Sequence, residues 1–168
     1  MFGSHDNFLA NEIHTVVRKF FVSEPERLAN GWLLYVFSKW RMCPSKESYE
    51  LLPAFIRPLP DQVKQNNELH FDMIYWPKIR QNLMQIWKES PSFNYRVFYE
   101  ALSCCAKVRW PWGKEILRKT EQGAYEIDPE FFKTFTSLEG WGLTSEFIEA
   151  YMPLFKGLDI DTILYRLA

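Results

Sequence analysis

The chain has 168 residues and a formal net charge of −1, from 20 basic and 21 acidic residues. Its length suits one domain with a single core, and the 17% of aromatic residues supply much of that core's volume without disulfides or metal. No long run of Lys or Arg occurs, which argues against the basic stripe of a free-standing nucleic-acid binder.

Helical signals follow one another from the N-terminus. Residues 1–6 read as a tail, disordered or left from an expression tag, and 7–168 as one helical domain. Asp6 or Asn7 can cap a first helix whose Leu9, Ile13, Val16, Val17 and Phe20 share a face. Ser23-Glu24-Pro25-Glu26 has the form of a capping box with a proline in the first turn. The helix behind it, 25–41, is apolar nearly all round and is expected at the centre of the bundle. Pro44 ends it, and Ser45 caps a short helix from Lys46 to Leu52.

Residues 49–80 break the pattern. Pro53, Pro58, Pro60 and Pro77 forbid a continuous helix, yet Leu52, Phe55, Ile56, Phe71, Ile74, Tyr75 and Trp76 are too apolar for a solvated linker. This stretch is predicted to be a packed strap, clamping helix 25–41 to a helix that opens at Pro77. Arg57 and Arg80 would hold it down by pairing with carbonyls or acids, with Asp61 and Asp72 as candidates.

Beyond Glu89, Asn94 caps a helix whose Val97, Ala101, Cys104, Cys105 and Val108 share a face, so both cysteines are expected to be small buried hydrophobes. Trp110-Pro111-Trp112-Gly113 is a turn, and Lys114 to Thr120 is predicted to be a short helix. Asp128, Thr144 and Asp159 or Asp161 can cap three further helices. Strand signals are nearly absent, with residues 124–127 the best candidate. The expected fold is all-α, a single compact bundle of about seven to nine short helices around the 49–80 strap.

The sequence holds no nucleophile elbow, phosphate-binding glycine loop or HExxH pair. Its three cysteines, Cys43, Cys104 and Cys105, lack zinc-ligand spacing and suit a reducing, intracellular setting. Neither a secretory signal nor an apolar run of the ~18 residues a membrane span needs is present. No cofactor, metal or catalytic residue is expected. The cluster Lys107, Arg109, Lys114, Arg118 and Lys119 reads as solvated surface. Candidate contacts for a partner or ligand are the turn tryptophans Trp76, Trp110, Trp112 and Trp141, each beside Pro or Gly.

Two blocks carry a resemblance. LLYVFSKWRMCPSKESYELLPAFIRPLPDQ (33–62) contains Arg57, Pro58, Pro60 and Gln62 in register. LHFDMIYWPKIRQNL (69–83) contains His70, Asp72, Trp76-Pro77 and Arg80. A third, looser block includes DPEFFKTF. Together they resemble a fungal domain of unknown function found C-terminal to the basic leucine zipper (bZIP) of fungal transcription factors. The sequence departs from that pattern at Phe71, where a proline is expected after His70. The resemblance implies a non-catalytic regulatory or protein-interaction domain acting in the nucleus on a coregulator or a second copy. It would touch DNA only through a basic zipper that this chain does not contain. A helical domain that senses a small molecule is the alternative, and an enzyme of unrecognised type a further one.

Overall fold

The computed structural model describes residues 6–19, 22–60, 62, 72–89 and 93–166. Local sequence sets most helix starts. Asn7 Oδ1 accepts from Ala10 N at 3.0 Å and opens α1 (Phe8–Val17). Pro25 lies in the first turn of α2 (Glu24–Met42). Ser23 does not close the expected capping box there, because its hydroxyl donates to the Glu26 carboxylate instead. Ser45 and Ser48 cap α3 (Lys46–Glu50) reciprocally. Pro77 begins α4 (Pro77–Glu89), and Asn94 Oδ1 accepts from Val97 N to open α5 (Tyr95–Cys105). Asp128 accepts from Glu130 N and Phe131 N at α6 (Pro129–Phe135). Two short helices follow, α7 (Ser145–Ala150) and α8 (Ile160–Ile163), the latter capped by Asp159.

The fold is largely helical but not all-α. Among the described residues, β1 (Ala106–Val108) pairs antiparallel with β4 (Trp141–Leu143), and β2 (Leu117–Lys119) with β3 (Tyr125–Ile127). The helical spacing expected to run on to Val108 stops at Cys105, where Ala106 turns to φ −77, ψ 121. Tertiary pairing wins over periodicity here: β1 gains the β4 ladder, and Val108 N donates to the buried Glu26 carboxylate at 3.0 Å. The helix expected over Lys114–Thr120 is likewise replaced by a hairpin. Gly123, at φ 81, closes its turn, and Arg118 faces Glu126 across it. The strand candidate at 124–127 is β3.

Helix α2 packs against α1, α3 and β1, as its apolar surface requires. Among the described residues, most buried apolar side chains form one cluster that takes in Leu33, Phe37, Ile56, Trp76, Leu83, Phe98, Phe135 and Trp141. The segment 140–142 runs through it with no spare room. A Cβ on Gly140 would lie 1.9 Å from Thr134 O, and one on Gly142 would lie 2.9 Å from the Tyr165 backbone.

Candidate functional site

The strap can be built up from its prolines. Pro53 leads into a 3-10 turn, Ala54–Ile56, which drops Phe55 and Ile56 into the core. The chain then runs extended through Arg57, whose Nε donates to Leu52 O at 3.0 Å while its guanidinium lies 5.0 Å from the Tyr49 ring centre. Pro77 places Arg80 in the first turn of α4, facing inward and fully buried. From there Arg80 Nη2 donates to Phe55 O at 2.8 Å and to Arg57 O at 3.1 Å. Gln62 completes the set: its Oε1 accepts from Leu59 N and its Nε2 donates to Asp72 Oδ1, both at 2.9 Å. Both arginines thus hold the strap to carbonyls, as expected. Pro58 is half-buried and Pro60 exposed, while Asp61 and His70 lie outside the described residues.

Charge at this motif is shaped by burial. Enclosure pushes the Asp72 carboxyl above its ordinary value, more strongly than the nearby Arg41 and Arg80 pull it down. The same enclosure draws Arg80 down to about 10, against the pull of Asp72, so it remains a cation at neutral pH. Its Nε and Nη1 make no hydrogen bond among the described residues. A buried guanidinium bridging two backbone carbonyls does the work of a pin. Its position organises the strap and offers nothing to solvent.

The four turn tryptophans part company. Trp141 was a candidate surface contact, but it is 1% exposed and donates Nε1–H to Phe135 O at 2.8 Å, a plug in the core. Trp76 is also buried, though it forms part of a groove wall described below. Trp110 is half-buried against Phe131, with Nε1 on Lys114 O and the Lys114 ammonium 4.5 Å from its ring centre. Trp112 is 100% exposed, on a turn that Gly113 completes at φ 75. Large rings fill the turn's base and leave one indole at its tip.

A half-open groove of ≈ 220 Å³ lies between α2, the end of the strap and α5. Its walls include Asn30, Leu34, Tyr75, Trp76, Tyr99 and Leu102. Tyr75 donates its hydroxyl to Asn30 Oδ1 and packs on Trp141 and Phe55, with ring centres 4.5 and 5.6 Å away. Burial holds the Tyr75 and Tyr99 phenols well above their ordinary values, so both stay protonated.

Sequence patterns gave no warning of three anchoring side chains. Glu26 is buried and ties α2 to β1. Asn82 Nδ2 spans Leu154 O and Lys156 O at 2.8 and 2.9 Å, fixing α4 to the 3-10 turn Met152–Phe155. Arg109 is not the solvated charge its cluster suggests: Nε donates to Trp141 O, and Nη2 to Thr162 O and Leu164 O. The signal for each would be its backbone partner, an N–H for Glu26 and carbonyls for Asn82 and Arg109, all distant in sequence. Lys114 and Arg118 pair with Glu130 and Glu126, so the basic cluster disperses into local contacts. Cys104 is exposed rather than buried, and Cys105 is half-buried against the core. No group of three or more His, Cys, Asp or Glu suited to a metal gathers among the described residues, and no described helix is long and apolar enough to cross a membrane.

Residues 35–163 match a protein family described as "Domain of unknown function (DUF3425)". The chain belongs to the DUF3425 family. The match takes in the strap and the Trp110–Gly113 turn, and all of the groove's walls but Asn30 and Leu34. No curated protein and no solved structure is detectably similar to the chain.

Proposed function

We propose that this DUF3425 domain is a non-catalytic regulatory module of a fungal bZIP-type transcription factor, working in the nucleus by contact with a protein partner. The blocks around Arg57 and Arg80 support the fungal assignment by resemblance. DNA contact would fall to a basic zipper outside these residues. The observation that carries the interaction reading is Trp112, a fully exposed indole on a turn braced by Trp110 and Lys114. Tryptophan is the residue type most enriched among interface anchors, because one ring buries a large area at little entropic cost. Partner classes compatible with it are a coregulator and a second copy of the chain.

The test is a tethering assay. The domain is fused to an unrelated DNA-binding module and assayed on a reporter in a fungal cell. The intact domain should change reporter output, and Trp112→Ala should remove the change. An inert intact domain would contradict the regulatory reading.

A second reading, small-molecule sensing, is favoured by the apolar groove beside α2. Under it, ligand occupancy would alter the same regulatory output.

A further inference from the structure

We propose that the groove between α2, the strap and α5 binds a small, neutral, bicyclic aromatic molecule carrying one hydrogen-bond acceptor. This deepens the sensing reading and rests on it only for biological consequence. Four observations define the ligand. The first is size: an apolar cavity of ~150 Å³ holds benzene, so ≈ 220 Å³ leaves room for a second fused ring but not for a drug-sized molecule. The second is shape: Tyr75, Trp76 and Tyr99 contribute aromatic rings to the walls, and flat ring systems pack on such faces by offset or edge contact.

Charge is the third. No Asp, Glu, Lys or Arg is among the described residues that line the groove, so an ionised ligand would be desolvated without a partner. The fourth is a polar handle from α2, since Ser103 Oγ on the opposite wall already donates to Glu100 O. Asn30 Oδ1 is occupied by the Tyr75 hydroxyl, and Asn30 Nδ2 makes no hydrogen bond among the described residues. With Oδ1 accepting from Tyr75, the amide nitrogen of Asn30 is the end left to donate, and it calls for an acceptor.

Coumarin is the probe, since it is neutral, bicyclic and carries a carbonyl. Isothermal titration of the intact protein should give one saturable site, with Kd on the order of 100 µM for a ligand of this size. Naphthalene, with no acceptor, should bind roughly three- to ten-fold more weakly, and 2-naphthoate more weakly still. Asn30→Asp keeps the acceptor for Tyr75 but removes the donor, so it should erase the preference for coumarin over naphthalene. Ser103→Phe, filling the groove from α5, should abolish binding with the circular dichroism spectrum unchanged. Should that variant fail to fold, Leu34→Trp fills the groove from the α2 side and gives the same readout. Absence of a saturable site, or wild-type affinity in a folded groove-filled variant, would overturn the proposal. Saturable binding that leaves reporter output unchanged would uphold the site and overturn the sensing reading alone.

Discussion

Replacing Arg80 by Met tests whether the strap is pinned as described. Arg80 is fully buried, and its Nη2 serves the carbonyls of Phe55 and Arg57, on a segment more than twenty residues earlier in the chain. A hydrogen bond from a charged donor contributes ~1.5–3 kcal/mol, and each carbonyl left unmatched in the interior costs ~1–3 kcal/mol. Against this, Met relieves the desolvation that draws Arg80 down to about 10, and it fills much of the same volume. The loss of Arg80 also leaves Asp72 with less compensation, which protonation of Asp72 can offset. The balance is a net loss of about 2–4 kcal/mol. For a domain of this size that is a fall in Tm of roughly 5–15 °C. Thermal and urea unfolding followed by circular dichroism would read it. Arg80→Lys keeps the charge but loses the planar Nη2 whose two N–H groups reach both carbonyls, so it should fall between wild type and Met. A Met variant within about 0.5 kcal/mol of wild type would refute the pin.

Other outcomes follow from the same geometry. Burial raises Asp72 in the folded state, so its ionisation opposes folding. Relative to Asp72→Asn, wild type should therefore hold its full stability below the unfolded-state value of ~3.9 and lose ground as pH rises through the raised one. Urea midpoints at pH 3.5 and pH 7 should show the Asn variant gaining on wild type at the higher pH, and a gain at the lower pH would contradict this. Gly140→Ala places a methyl 1.9 Å from Thr134 O and should destabilise by about 2 kcal/mol or more, read as a lower urea midpoint. Arg109→Met removes three donor contacts to the carbonyls of Trp141, Thr162 and Leu164, and should cost about 1–3 kcal/mol while speeding amide exchange in α8.

How much of this was legible from sequence depends on how local each cause is. Asn7, Ser45, Asn94, Asp128 and Asp159 cap helices within three residues of themselves, so their patterns predict the helix starts. The strap's prolines and apolar content likewise point to a packed path, and Arg57 and Arg80 meet carbonyls as expected. Strand β1 fails that test, because its helical periodicity is overruled by β4, more than thirty residues away. The same distance hides Arg109, Asn82 and Glu26, whose partners lie in other elements. Among the turn tryptophans, a Pro or Gly neighbour marks the turn but not its depth. Trp141 is a plug and Trp112 a projecting ring for reasons set by the surrounding packing. Asn30 and Tyr75, which shape the groove, are separated by 45 positions and carry no motif.

In the proposed reading the labour is divided: the strap holds the fold, and the Trp112 turn is the surface proposed to meet a partner. Measuring Trp112→Ala in the tethered reporter and in thermal unfolding tests both halves at once. Trp112 is fully exposed, so its removal should shift stability by no more than about 0.5 kcal/mol, while reporter output falls to that of the DNA-binding module alone. Full reporter activity in a stably folded Trp112→Ala protein would contradict the account.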